Sequence, residues 1–426
     1  MTTPMIIALG ITLFMIYLIM TDKLPFGAPP LLACVLIVIF GLGDVKAAFA
    51  GFTNSSVIMV ASFMPIMTAI QKTSLLGKLK DLMITMAEKG GYKSYVFLVV
   101  LIMLGTCLFG TGSTAYYVLI LSLLSTMPYS KNLPVSKLML PLGFATNHPL
   151  IPLNVAMHFG IMVSLLETAG VATGNIPVVK FSVANLFLSI GYLVWCLVSY
   201  KLLPDHEIAA ASEDAKAKAA VAADMPKWKE NLTYAAFAMA VLGMIFQSKI
   251  GNAGYVVPGL AAAILVFADV INFKEVRDGI GAPVILMMAG VIGVADALGN
   301  TGFTAMIGES VAGALGGSIN PFILVFAFCV LTSTLATFTG SSLGTVYVFA
   351  PIAIAVCVSL GLNPTAAAAA ITVSGWNGGY MPIDGMPAMI MGMGNYKLSE
   401  FWKFTVPMYF IRLLALTVGC VVMFPM

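Results

Sequence analysis

Long apolar stretches without charged residues recur along the whole chain, and they limit the folds open to it. Each is close to the roughly 20 residues with which an α-helix crosses a bilayer core of about 30 Å. They lie at residues 5–21, 28–43, 56–71, 179–200, 231–246, 255–271, 281–298 and 404–424. Charged residues make up only 9% of the 426, whereas soluble domains carry about 25%. This pattern excludes a water-soluble fold and predicts an all-α polytopic membrane protein.

Other apolar stretches are interrupted in their middles by small and polar residues. Residues 95–126 and 319–360 are broken by FGTGSTA and FTGSSLGT, and each is predicted to be a re-entrant helical hairpin. Residues 136–169 and 362–395 are broken by ATNHPLIPLN and GWNGGYMPID, and each is predicted to be a span with an unwound middle. Irregular backbone at membrane depth is tolerated only where protein or a wet cavity satisfies its polar groups.

The basic residues predict an orientation. If residues 201–230 are a cytoplasmic linker, only Lys46, Lys180 and Lys249 of the 21 Lys and Arg residues lie outside. Arg412 falls within a span, where we expect it to snorkel toward the helix end, and the remainder lie inside. The positive-inside rule then places both chain termini on the outer face of the membrane.

The two halves of the chain resemble each other at an offset of 230 residues. Asn147 falls on Asn377 and Gly110 on Gly340, within the interrupted regions. We predict a first repeat at 1–200, the linker at 201–230 and a second repeat at 231–426. Since each half has an odd number of crossings, about five, the repeats would be inverted, as in many secondary transporters.

The interrupted regions hold the candidate site residues, because an unwound helix frees carbonyls for a cation and exposes a helix N-terminus that favours an anion. Hydroxyl, amide and glycine groups there suit a small anion, and the substrate candidates are Thr111, Gly112, Ser113, Thr114, Asn147, His148, Ser341, Ser342, Thr345 and Asn377. The candidate sodium ligands are Thr111, Ser113, Thr146, Asn147, Ser342, Thr345, Asn377 and Asp384.

Several of these residues have a structural alternative. Asp384 is an ionisable group at depth, which indicates an ion ligand or proton carrier, but it equally fits the N-cap of the following half-helix. His148 either bonds a carboxylate or is a buried structural histidine. Glu167 lies near a predicted span end, where we expect solvent exposure.

Other functional classes lack their signatures. There is no G-x-x-x-x-G-K-[ST] phosphate loop for ATP, and three scattered histidines do not predict a metal centre. The sequence lacks the nucleophile and neighbouring base that would indicate an enzyme. It also lacks a basic patch that would indicate nucleic-acid binding. We therefore predict no cofactor beyond a coupling ion, Na⁺ or H⁺, and no enzymatic activity.

The stretch from 47 to 79, the hairpin FGTGSTAYYVLIL and the loop ATNHPLIPLN resemble the divalent anion/sodium symporter family of the ion transporter superfamily. The resemblance implies a homodimer in a prokaryotic plasma membrane. It also implies an elevator-like transport domain that carries dicarboxylates, citrate or sulfate with sodium. Family members carry Ser-Asn-Thr at each hairpin tip, whereas the tips here lack asparagine. Asn147, Asn377 and Asp384 would then supply the missing ligands, and an acid there would let a proton replace one sodium.

The sequence thus favours a cation-coupled symporter of a small organic anion, such as a di- or tricarboxylate, in contact with the lipid bilayer. Two alternatives share this architecture. One is a Na⁺/H⁺ antiporter of the same superfamily, and the other is the large membrane subunit of a tripartite transporter.

Overall fold

The computed structural model is all-helical over the part of the chain that it describes. Those residues are 1–21, 24, 27–125, 127, 130–151, 155–173, 176–208, 225–303, 306, 309–310, 313, 320–383 and 385–426, and no β-strand occurs among them. Most of the predicted linker, residues 209–224, lies outside the described residues, as does Asp384.

The helices of the first half follow the predicted spans. They are α1 (Thr3–Thr21), α2 (Ala28–Ile39), α3 (Val45–Ala48), α4 (Ser55–Gln71), α5 (Leu75–Lys89), α6 (Gly91–Phe109), α7 (Thr114–Ser125), α8 (Val135–Ala145), α9 (Ala156–Thr168) and α10 (Val178–Ser199).

The second half continues in the same manner. Its helices are α11 (Lys227–Ile245), α12 (Gln247–Ile250), α13 (Ala253–Phe267), α14 (Phe273–Ile280), α15 (Pro283–Asn300), α16 (Pro321–Thr339), α17 (Ser342–Ser359), α18 (Thr365–Ser374), α19 (Gly385–Met393) and α20 (Leu398–Met423).

The helices are apolar enough for a membrane. Among the described residues, six helical segments have the length and composition to cross it, and the remaining apolar helices are shorter. The shorter ones include the halves of the interrupted spans. The protein is therefore a multi-pass membrane protein.

Both predicted hairpins are broken near their middles. Residues 110–113, here called tip 1, separate α6 from α7, and residues 340–341, tip 2, separate α16 from α17. Gly110 and Gly340 adopt φ values of 86° and 67°, a region that only glycine enters at little cost. These glycines end the first helix of each pair and let the chain turn.

The helices of both predicted unwound spans are also interrupted. Helix α8 ends at Ala145 and α9 begins at Ala156, and the intervening segment is here called loop 1; α18 ends at Ser374 and α19 begins at Gly385, and the segment between them is called loop 2. Helices α6 and α16 are both 19 residues long, and they begin at positions 230 apart, Gly91 and Pro321. Their spacing agrees with the offset found in the sequence. The inversion of the repeats and the division of the chain at the linker remain predictions.

Close packing of α10 against α20 positions the second half of the site. Gly191 of α10 lies so near α20 that an added Cβ would meet the Ala415 Cβ at 2.7 Å. Small residues at such contacts let helix backbones approach closely in membranes. The contact places the middle of α20 beside both loops.

Glu167 is bonded to a neighbouring element, and the expectation of simple solvent exposure is not met. Its carboxylate accepts hydrogen bonds of 2.7 Å from the Asn54 side-chain amide and 2.8 Å from the Thr173 hydroxyl. Asn54 is the N-cap of α4. Glu167 therefore ties the end of α9 to the start of α4.

Candidate functional site

A cavity of about 190 Å³ lies where the broken helices meet. The described residues that line it come from both halves of the chain, mostly from the breaks and the helix turns beside them. They are Gly112, Tyr117, Phe144, Asn147, Ala336, Thr337, Ser342, Gly375, Trp376, Gly378, Gly379, Gly385, Met386, Pro387 and Arg412.

Loop 1 and loop 2 are joined directly beside the cavity. The Asn147 side-chain amide donates a 2.7 Å hydrogen bond to the backbone carbonyl of Trp376. Asn147 is 4% exposed. This bond satisfies a carbonyl that the helix break would otherwise leave without a partner.

Loop 2 is also held by the first helix of its own half's hairpin. The Thr337 hydroxyl of α16 accepts a 3.1 Å hydrogen bond from the Gly379 amide and donates one of 2.8 Å to the Ser333 carbonyl. The approach is so close that a Cβ on Gly378 would lie 2.0 Å from the Thr337 hydroxyl oxygen. Glycine is therefore required at 378 by the packing.

Arg412 lies at the cavity, and the expectation that it snorkels is wrong. It is 1% exposed, and it is 11 residues from Met423, the nearer end of α20. At 1.5 Å per residue this distance is roughly 16 Å. Its Nη2 instead donates a 2.7 Å hydrogen bond to the Asn377 carbonyl and a second to the Gly378 carbonyl.

The charge of Arg412 has no carboxylate beside it among the described residues, since none of their ion pairs involves it. Its Nε also has no hydrogen-bond partner there. The N-terminal turns of α17 and α19 contribute Ser342 and Gly385 to the same cavity. Helix N-termini carry partial positive charge. Arg412 and the two helix N-termini therefore contribute positive charge to the cavity, and such charge favours an anion.

His148 connects loop 1 to Arg412. Its Nδ1 lies 2.7 Å from the Phe144 carbonyl, which only a protonated nitrogen can satisfy, and its Nε2 lies 3.4 Å from Arg412 Nη1. The ring stacks on Tyr192 of α10 with centroids 3.9 Å apart. The geometry assigns His148 as a neutral ring that faces a cation. It is buried behind the described lining of the cavity.

The predicted substrate residues fall into groups. Gly112, Asn147 and Ser342 line the cavity. Ser341 caps α17 by accepting from the Gly344 amide at 3.2 Å, and Thr345 donates to the Ser341 and Ser342 carbonyls. Their roles at the cavity remain predictions.

The remaining predicted residues either hydrogen-bond to nearby backbone, lie away from the described cavity lining, or lie outside the part of the chain that the structure describes. The Asn377 amide donates to the Val373 carbonyl at 2.8 Å, Thr146 donates to the Gly143 carbonyl at 2.7 Å, and Ser113 accepts from the Tyr116 amide at 3.4 Å. Thr111 lies in tip 1, outside the described lining. The Thr114 side chain and Asp384 lie outside the described residues.

Arg412 was not among the predicted site residues, although the sequence carried a signal for it. It is the one basic residue that lies more than two positions inside a predicted span, and ionisable groups at membrane depth mark functional sites by default. Thr337, Tyr117 and Phe144 were also missed, because they lie within regular helices and outside the polar clusters of the breaks.

Helices broken around a buried cavity that contains an arginine are the arrangement found in many membrane transporters. Residues 16–373 match the citrate transporter family, CitMHS, and the chain belongs to this family. It is therefore a transporter and not an enzyme. The relatives that it resembles are transporters as well.

Two curated relatives match part of the chain. An uncharacterized transporter of Synechocystis sp. is 31% identical over 152 residues, which is 35% of this chain and 24% of the relative. The uncharacterized transporter YfbS of Escherichia coli is 27% identical over 157 residues, 37% of this chain and 25% of the relative. The matched segment thus spans about a quarter of either relative.

Two solved structures share the fold. The YdaH transporter of Alcanivorax borkumensis has a TM-score of 0.62 at 15% identity, with 88% of this chain and 87% of that chain covered. MtrF of Neisseria gonorrhoeae has a TM-score of 0.59 at 14% identity, with 91% of this chain and 84% of that chain covered. Its structure was described as illuminating a class of antimetabolite efflux pumps. At these identities the likeness concerns the fold alone.

Proposed function

We propose that the protein is a cation-coupled symporter of a small organic anion that carries two or three carboxylates. The observation that carries the proposal is Arg412, a buried cation at the cavity with no carboxylate partner among the described residues. A buried charge without a counter-charge costs free energy. An anionic substrate would offset that cost each time it binds.

The size and chemistry of the cavity support this class of substrate. Its volume of about 190 Å³ is below the roughly 300–1,000 Å³ of pockets for drug-sized ligands. Asn147 and Ser342 bring an amide and a hydroxyl, and the helix N-termini bring backbone N–H groups that suit carboxylate oxygens. The description of the family as citrate transporters agrees with a tricarboxylate.

The remaining roles follow from the sequence. The substrate would bind between the two tips and two loops. The coupling ion, Na⁺ or H⁺, would bind at the carbonyl and side-chain oxygens of the same breaks, with Asp384 as its acidic ligand. The narrower resemblance to divalent anion/sodium symporters supports sodium.

Movement and assembly are part of the same proposal. The tips and loops would move as an elevator against a scaffold of the unbroken spans. The transporter would be a homodimer in a prokaryotic plasma membrane, with the linker in the cytoplasm and both termini outside. The distribution of the basic residues supports this orientation.

Uptake of citrate and of smaller dicarboxylates into proteoliposomes tests the proposal. We expect uptake that requires an inward Na⁺ gradient or an inward H⁺ gradient and that is absent when both are dissipated. A thermal-shift screen of the same anions, with sodium and with choline, gives the substrate order without transport. The variant Asp384→Asn should change the sodium or pH dependence of uptake.

Two results would contradict symport. Exchange of Na⁺ for H⁺ with no anion-dependent flux would identify an antiporter. Anion uptake that appears only with an added soluble binding protein would identify the membrane subunit of a tripartite transporter.

A further inference from the structure

Arg412 contacts loop 2 in the way that a bound cation would. Its Nη2 donates to two consecutive backbone carbonyls, those of Asn377 and Gly378. Both residues lie just beyond the end of α18 at Ser374. In transporters with broken helices, such freed carbonyls coordinate the coupling cation. Here a side chain of the protein itself supplies the positive charge.

No ion pair of the guanidinium occurs in the part of the chain that the structure describes. Among the described residues, its other contacts are the neutral ring nitrogen of His148 at 3.4 Å and the ring of Phe144, whose centroid is 5.8 Å away. Asn377, which is fully buried, also has a side-chain oxygen without a partner there. The carbonyls therefore act as the main ligands of this charge.

The first half has no such side chain at the matching position. The residue 230 positions before Arg412 is Ser182, which is uncharged. The contact of α10 with loop 1 is made by Tyr192, which stacks on His148. The two halves therefore differ in this one cationic side chain, although their helices break at nearly matching positions.

We propose that Arg412 is a tethered cation that permanently occupies the carbonyl site of loop 2. Exchangeable coupling ions would then bind away from the Asn377 and Gly378 carbonyls, at the remaining oxygens of the breaks. The role of Arg412 in ion coupling rests on the proposed function. The occupation of the carbonyl site by Arg412 is testable without any anion. A protein that carries one cation in its own chain needs fewer ions from solution for each anion moved.

Thermal unfolding of purified Arg412→Ala tests the inference in the absence of anions. The melting temperature is measured in choline chloride, in sodium chloride and in choline chloride with millimolar guanidinium. We expect the variant to melt below wild type in choline and to regain at least about 2 °C with sodium or guanidinium, because a ligand that binds the folded state raises its stability. Millimolar guanidinium is far below the denaturing range.

Two further variants complete the test. Arg412→Lys keeps the charge and should respond to cations less than Arg412→Ala does. Arg277→Ala removes the other arginine of the chain, which is exposed and pairs with Asp278, and it should respond as wild type does. A cation response of Arg412→Ala no larger than that of Arg277→Ala would overturn the inference. Failure of every cation, guanidinium included, to restore a folded Arg412→Ala protein would overturn it as well.

The two proposals fail separately. If wild type takes up carboxylates and Arg412→Ala shows no cation response, symport stands and the tethered cation is wrong. If the cation response is present and wild type moves no anion, the tethered cation stands and the proposed substrate is wrong.

Discussion

The Asn147 side-chain amide and the Trp376 carbonyl form a 2.7 Å hydrogen bond between residues 229 positions apart. The bond joins the two unwound regions at the cavity. Each loop therefore helps to hold the other in place, and a substitution in one loop should alter the conformation of both.

Replacement of Asn147 by Ala should weaken anion binding about tenfold. Asn147 lines the cavity, and loss of a hydrogen bond to a charged group costs about 1.5–3 kcal/mol, where 1.4 kcal/mol corresponds to a factor of ten in affinity. Titration of citrate by thermal shift measures the affinity. Asn252→Ala is the control, because Asn252 is exposed and its side chain makes no capping bond. Equal affinities for both variants would remove Asn147 from the site.

Replacement of Gly378 by Ala should destabilise the fold by about 1–3 kcal/mol or more, as overpacking of a tight site does. A Cβ there would lie 2.0 Å from the Thr337 hydroxyl oxygen and 2.7 Å from the Ser333 carbonyl oxygen. Gly392→Ala in α19 is the control, since nothing lies within 4 Å of its Cβ position. Alanine there should be neutral or stabilising by up to about 1 kcal/mol. The melting temperatures of the purified variants measure the loss of stability. A Gly378→Ala protein as stable as wild type would show that loop 2 tolerates displacement.

Replacement of Gly112 by Ala should damage both stability and anion binding. Gly112 adopts a φ of 77°, and a Cβ there would lie 3.1 Å from Trp376 Cδ1 at the cavity. Gly41 has a φ of 69° with nothing near its Cβ position. Both alanine variants should lose about 1–2 kcal/mol from the left-handed backbone, and only Gly112→Ala should also weaken citrate binding. Binding that is equally affected in both would refute a role for tip 1 at the cavity.

Glu230 should make the stability of the protein depend on pH. Hydrogen bonds from Ser74 and Tyr234 hold the pKa of the Glu230 carboxyl below its usual value, just before the predicted span 231–246. A group whose pKa is lower in the folded state stabilises the fold above its unfolded pKa, about 4.3 for Glu, and loses this contribution as pH falls through the folded pKa.

Glu230→Gln should therefore melt below wild type at pH 7. The difference should shrink as pH falls below about 4.3. Glu88→Gln, at an exposed position of α5, is the control and should match wild type at both pH values. A difference between wild type and Glu230→Gln that is the same at pH 7 and at pH 3.5 would contradict the prediction.

Local features of the sequence predicted the helix breaks correctly. Gly110 and Gly340 end α6 and α16 because glycine allows the positive φ of the turn. The clusters at 146–155 and 375–384 interrupt their spans because prolines, glycines and amides there do not continue a helix. Such preferences act over a few neighbouring residues, so they can be read without the fold.

The role of Arg412 could not be predicted in the same way. Its contact with His148 spans 264 positions, and it depends on which face of α20 packs against α10. The sequence also placed Glu167 in solvent, because nothing local reveals that Asn54 would lie within 2.7 Å of it.

The amino-acid sequence by itself determined that this protein is a helical membrane protein with two pairs of broken helices, because hydropathy and backbone preferences are properties of short segments. Only the tertiary structure decided that the two loops meet through Asn147 and Trp376 and that a buried arginine lies at their cavity. Those relationships depend on close packing between helices far apart in the chain. The contact between α10 and α20 brings Arg412, the single charged residue of the predicted span 404–424, to the loop 2 carbonyls that bind it.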